Sequence, residues 1–207
     1  MPTIYLIRHG QSEANAGGII QGQSDYPLSS LGKKEGKAAA AWMKQVHIDA
    51  IYASDLQRAS RTADYLAESR DVRVATTPLL REAALGPLEG RTKHEILAAY
   101  PELKEKRLAA SGIAGTESFE SLTERCRKLV QLLSSHQESA VLAAVSHGGF
   151  ISILLTYLSA GDSWTHVHNP YVIANTGITK IELRNNGAAY FHFVNSTVHT
   201  EADMKRS

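Results

Sequence analysis

Short apolar runs rich in branched residues occur at 3 to 7, 48 to 53, 72 to 75 and 140 to 146, separated by longer stretches whose apolar positions recur every three or four residues. The runs predict strands, and the longer stretches predict helices over 30 to 46, 54 to 68, 118 to 136 and 148 to 160. Within the second helix Leu56, Ala59, Ala63 and Leu66 form the core-facing stripe. Strand and helix in alternation predict an α/β fold with a mostly parallel sheet covered on both faces. GITKIELR and AAYFHFV, flanking Asn185-Asn186-Gly187, predict a closing antiparallel hairpin.

The stretch from 88 to 115 differs in character. Thr92 with Glu95 has the spacing of a capping box, Pro101 interrupts, and Ser111 to Gly115 reads as a flexible loop. It predicts a small helical insertion over the sheet's edge, within a single domain covering 1–207.

Composition narrows the partners. With 22 basic and 21 acidic residues among 207, the formal charge of +1 offers no field for nucleic acid or a membrane surface, so any positive charge that matters is local. Cys126, the only cysteine, falls on a helical apolar stripe and reads as a small core residue; neither an internal disulfide nor a cysteine-based metal cluster is expected. Met1-Pro2-Thr3 leads straight into the first strand, with no basic leader and no bilayer-length apolar stretch, and the expected location is the cytoplasm.

Chemistry concentrates where strands end. Arg8, His9 and Gly10 follow the first strand, and His147-Gly148-Gly149 follows AVLAAVS. In a parallel sheet ligands collect beyond these carboxyl ends, so the two histidines can face one crevice. Arg8 offers a planar charged fork for phosphate oxygens, and Gly10 would let the backbone approach a ligand. Gly148 opens a helix whose free amides favour an anion. Arg58, early in the helix after the second strand, can reach the same crevice, whereas Arg61 points toward solvent. Glu82, in LLREAALGPLEG, could hold a proton beside a phosphate dianion and act as a general acid. Singly, each has a plain structural reading as a hydrogen-bonded histidine, a surface ion pair or a solvated loop charge, and His166, His168, His192 and His199 have no better reading. Together they indicate a phosphate site with an imidazole nucleophile.

At these residues the chain resembles the histidine phosphatase superfamily, the phosphoglycerate mutase-like family, from LIRHGQSEAN through DYPLSSLG, YASDLQRASRTA and REAALGPLEG to VSHGG. The resemblance implies a three-layer α/β/α sandwich. It also implies that His9 becomes phosphorylated, that Arg8, Arg58 and His147 complete the phosphate pocket with Asn15 and Gln21 as further donors, and that Glu82 is the proton donor. Gln11-Ser12 stands where Glu-Thr is frequent, Glu35 where glutamine is frequent, and Ala83-Ala84 where larger or polar residues are usual.

The implied reaction is hydrolysis of a phosphomonoester of a small metabolite, with no metal or other cofactor. It asks for a neutral His9 and a charged His147, both starting from a pKa of about 6.5, which would put the optimum in the mildly acidic to neutral range. A cofactor-dependent phosphoglycerate mutase is the alternative within the family; its asparagine before the acid and its arginine and tyrosine after it are absent from LLREAALGPLEG. A non-catalytic phospho-ligand binder is the alternative outside the enzymes. No residue singles out the substrate or the oligomeric state, though Arg91, Lys93 and His94 could meet a second acidic group on the substrate.

Overall fold

A computed structural model describes residues 1–104, 107–167, 171–184 and 188–200 of the chain. In chain order the elements are β1 (Thr3–Arg8), α1 (Glu13–Ala16), β2 (Ile19–Ile20), α2 (Ser30–Met43), β3 (Ala50–Ala53), α3 (Gln57–Ala67), β4 (Val74–Thr76), β5 (Arg91–Thr92), α4 (Lys93–Ala99), α5 (Phe119–Ser134), β6 (Val141–Ser146), α6 (Gly148–Ala160), β7 (Ile178–Leu183) and β8 (Ala189–Ser196). Six strands form one sheet in the order β4-β3-β6-β1-β7-β8. Its first four strands are parallel; β7 runs antiparallel to β1, and β8 antiparallel to β7. The turn expected at Asn185-Asn186-Gly187, His168, and the segment after Thr200 lie outside the described residues.

Successive strand residues face opposite sides, so one strand serves two cores. Ile4 and Leu6 of β1, with Leu142 and Ala144 of β6, pack under α5 and α6 in a cluster containing Cys126, Leu129, Phe150 and Leu154. Tyr5, Ile7, Ala143 and Val145 face the other way, toward Met43 of α2 and Ala59, Ala63 and Leu66 of α3. The predicted stripe of α3 is therefore its buried face, with Leu56 just ahead of the helix and also buried. Burial raises the thiol of Cys126 to about 12, leaving it inert packing.

Several ends move inward from their predicted positions. The helix expected from 54 begins at Gln57, because the Ser54 hydroxyl accepts the Leu56 amide in a turn at 3.2 Å. The helix expected to reach 46 ends at Met43, where Arg70 donates to the Met43 and Leu66 carbonyls and so finishes α2 and α3 with one side chain. Residues 48, 49, 72 and 73 precede their strands, and β4 runs on to Thr76.

The 88–115 segment opens α4 with the expected capping box, Thr92 Oγ accepting from Glu95 at 3.2 Å and Glu95 accepting from Thr92 at 2.7 Å. Pro101 begins a separate short turn. The expected position over the sheet's edge is corrected: the edges are β4 and β8, whereas this segment pairs β5 with β2, inserts Ile96 and Leu103 into the α5/α6 core, and brings Arg107, Leu108 and Ala109 to the cleft at the carboxyl end of the sheet. Burial of Ile96 and Leu103 draws it there.

Candidate active site

Strand register creates the site. Arg8 is paired with Ser146 across β1 and β6, so the next residues, His9 and His147, leave adjacent strands at the same level. Their ring centroids lie 5.0 Å apart, edge to face. A cleft of about 460 Å³ opens there, walled by Arg8, His9, Asn15, Gln21, Arg58, Glu82 and Gly148 among others. Of the eight residues expected at the site only His147 does not line this opening; it is fully buried against His9.

The protonation pattern follows from partners that can play only one role. His9 Nδ1 lies 2.6 Å from the Gly10 carbonyl, which can only accept, so the proton sits on Nδ1 and Nε2 keeps its lone pair. Burial, with Arg8 and Arg58 nearby, pushes the pKa of His9 well below its ordinary value. Arg58 Nε can only donate, and it donates to His147 Nδ1 at 3.2 Å, so the His147 proton is on Nε2, a buried atom with no partner in the free site. Burial and the neighbouring His9, Arg58 and Arg8 lower the His147 pKa as well. The expectation of a charged His147 is thus corrected: protonating Nδ1 would set it donor to donor against Arg58. Both imidazoles are neutral, and His147 can still donate from Nε2.

Two arginines bring the charge. Arg58, 1 % exposed on the first turn of α3, is held by the carbonyls of Gly22 and Ser24, each at 2.8 Å. Arg61 is exposed, as expected, and it pairs with Asp64. Arg8 donates to the Ile173 carbonyl at 2.7 Å, and its buried Nε has no partner. Burial lowers both pKa values, opposed by Glu82 in each case, and both guanidinium groups stay charged.

The amides are aimed by their own oxygens. Asn15 Oδ1 accepts from Ser12 N at 3.2 Å and from Asn175 at 3.3 Å, and Gln21 Oε1 accepts from the Ser12 hydroxyl at 2.7 Å. What each has left for a ligand is its NH₂. Residues set apart by their departure from the commonest pattern take part here: Ser12 caps α1, and the Gln11 backbone N–H donates to Glu35 at 2.7 Å.

Glu82 accepts from the amides of Ala83 at 3.0 Å and Gly149 at 2.9 Å. A Cβ on Gly149 would come within 2.7 Å of the Glu82 carboxyl, so the second glycine of VSHGG makes room for the acid. Gly10 has a different use from the one expected. Its absent Cβ would lie 2.3 Å from the Gly32 carbonyl, so the close approach is to the start of α2 and not to a ligand.

Sequence reasoning missed the residues that hold this constellation. Asn175 donates to the His9 carbonyl at 3.1 Å. Glu89 accepts from Gln23, Ser24 and Leu85, locking the loop whose carbonyls hold Arg58. Arg125 and Glu117 form a largely buried pair at 2.7 Å that braces Arg81 and Ala84 beside Glu82. Arg91, Lys93 and His94 are exposed and absent from the cleft wall, where Arg107 stands instead. Among the described residues no three His, Cys, Asp or Glu side chains converge to hold a metal ion, and no helix is long and apolar enough to cross a membrane.

A parallel-centred sheet with two buried histidines and two arginines gathered at its carboxyl end defines an α/β protein built to handle a phosphoryl group. The chain belongs to the histidine phosphatase superfamily (branch 1), whose sequence profile matches residues 4–196. It is 30% identical over 207 residues to a candidate phosphoserine phosphatase of Hydrogenobacter thermophilus, covering 97% of this chain and 98% of that one. A candidate phosphoglycerate mutase of Serratia proteamaculans is 32% identical over 159 residues, covering 75% and 74%. Mycobacterial glucosyl-3-phosphoglycerate phosphatase, solved with VO3, superposes with a TM-score of 0.80 at 28% identity, covering 94% of this chain and 98% of that one.

Proposed function

We propose that this chain hydrolyses phosphomonoesters of small metabolites through a phosphohistidine on His9, acting as one catalytic domain with the 88–115 segment as part of its cleft wall. The observation that carries the reading is the fixed tautomer of His9. Its Nδ1–H is anchored on Gly10, leaving an Nε2 lone pair beside two arginines and across from an anchored carboxyl.

Binding puts the phosphoryl oxygens against Arg8, Arg58, the amides of Asn15 and Gln21, and the start of α6 at Gly148. His9 Nε2 attacks phosphorus in line, forming the N–P bond as the ester P–O bond breaks, while His147 Nε2–H and the arginines stabilise the equatorial oxygens. Glu82 delivers its proton to the leaving oxygen. The resulting carboxylate takes a proton from water, whose oxygen attacks phosphorus, releases His9 and regenerates the acid. Side chains handle every charge and proton in this sequence, so turnover in chelator is part of the proposal.

The relatives' names support small phosphorylated substrates, and the absence from LLREAALGPLEG of the mutase-type residues favours water as the acceptor over a bound glycerate. The reading places the protein in the cytoplasm, where a single buried thiol such as Cys126 stays reduced. The test is p-nitrophenyl phosphate hydrolysis in chelator, wild type against His9→Ala at equal folded concentration. Loss of at least about a thousandfold in kcat is expected; equal rates would refute the assignment, and phosphoenzyme discharged only by phosphoglycerate would make the protein a mutase.

A further inference from the structure

Beyond the phosphate corner the cleft changes chemistry. Its outer wall comes from Ile19, Ile20, Leu85, Leu108, Ile153 and Val172. One charged side chain interrupts it: among the described residues, the cleft is lined by Arg8, Arg58 and Glu82, which the reaction uses, and by Arg107, which it does not. Arg107 is already half tied. One arm donates to the Val167 carbonyl, and the guanidinium lies over the ring of buried Trp164, 5.4 Å from its centroid. Its other arm, Nη1, is buried without a partner. Among the described site residues, Arg8 Nε and His147 Nε2 are the other buried nitrogens left without a partner, and the proposed reaction uses both residues.

From this we infer that Arg107 forms a second anion subsite, and that the preferred substrate is a phosphomonoester whose leaving group has an apolar body ending in a carboxylate. The inference deepens the hydrolase reading and rests on it for the position of the phosphate. A buried guanidinium arm without an acceptor is satisfied best by an anion, because a charge-assisted hydrogen bond forms without first freeing the donor. Apolar walls on the way favour carbon over hydroxyl, since each sugar hydroxyl stripped of water there would lose its hydrogen bonds. Cleft size agrees: about 460 Å³ is larger than a bare phosphate needs and falls within the range of sites that enclose small organic ligands. Glu82 lines the same cleft as Arg107 and the apolar wall.

The test uses binding, so it does not depend on turnover. Calorimetry with benzylphosphonate and with 3- and 4-carboxybenzylphosphonate is run on wild type and on Arg107→Met, which keeps an apolar stem and removes the charged guanidinium. Wild type is expected to bind the better carboxylated ligand at least about tenfold more tightly than benzylphosphonate. Arg107→Met should erase that ratio while leaving benzylphosphonate affinity within about twofold, which also reports an intact fold. A ratio near one in wild type, or a ratio that survives in Arg107→Met, overturns the subsite. Hydrolysis of the matching benzyl phosphates is measured in parallel: carboxylate-selective binding without turnover would refute the hydrolase reading and leave the subsite standing.

Discussion

The inner and outer halves of the cleft are built on opposite principles. In the inner corner the functional side chains are anchored before a ligand arrives, each with a donor or lone pair left free: Gly10 fixes His9, Gly22 and Ser24 fix Arg58, Ser12 fixes Asn15 and Gln21, and two amides fix Glu82. Such pre-ordering suits a reaction in which charge is redistributed at phosphorus, because donors already aimed need no reorganisation. Among the described residues the outer half is mostly apolar, assembled from β2, Leu85, the 88–115 segment, Ile153 and residues 171–173, and Arg107 is its one charged side chain. The corner sets the reaction, and the wall selects what is attached to the phosphate.

Substitution of Glu82, the acid that acts on the leaving group, should break this division most visibly. Glu82→Gln keeps one of the two backbone contacts, because its NH₂ cannot accept, and loses the proton, so kcat on an alkyl phosphate is expected to fall by about 10²–10⁴-fold. For p-nitrophenyl phosphate, whose leaving group needs little protonation, the fall should be much smaller. Equal losses on both esters, read from steady-state kinetics, would remove the general-acid role.

A pair of glycines sharpens the contrast between structure and chemistry. Gly149→Ala pushes on the Glu82 carboxyl, the movable end of a side chain, and should lower alkyl-phosphate turnover by about tenfold with a stability change within about 1 kcal/mol. Gly10→Ala pushes on the Gly32 backbone, which has nowhere to go, and should cost about 1–3 kcal/mol or more of stability in urea denaturation. Reversal of the two phenotypes would refute the roles given to them.

Much of this was legible in the chain. The corner was readable because its residues sit where apolar runs stop, and a parallel sheet converts that one-dimensional rule into spatial convergence: His9 and His147, 138 positions apart, meet through the pairing of Arg8 with Ser146. The wall was not readable, since a two-residue strand pair such as Ile19–Ile20 with Arg91–Thr92 has no periodicity to detect. Arg91, Lys93 and His94 looked suitable by charge, yet the capping box that starts α4 leaves them exposed, while Arg107 carries no local signal. The charge state of His147 failed for a similar reason. Its Arg58 partner lies 89 positions away, and only the fold shows that the contacting nitrogen must be an acceptor.

Two neutral buried histidines also give the corner a pH signature that the wall lacks. Their folded-state pKa values lie below the unfolded value of about 6.5, so the unfolded chain binds more protons as pH falls and stability falls with it. Each contributes a slope of up to about 1.4 kcal/mol per pH unit below that point. His147→Gln should remove about half of this histidine contribution in denaturation curves between about pH 7 and 5. An unchanged slope would mean that His147 is already charged in the folded protein.

The most direct test of the central claim is a rapid-quench trap of the reacting enzyme, with peptide mapping under the neutral to alkaline conditions in which phosphohistidine survives. One phosphoryl group is expected, on the peptide carrying His9, formed within the first turnover and lost to water without any added acceptor. Phosphoryl on another residue, or steady turnover with none on His9, would contradict it.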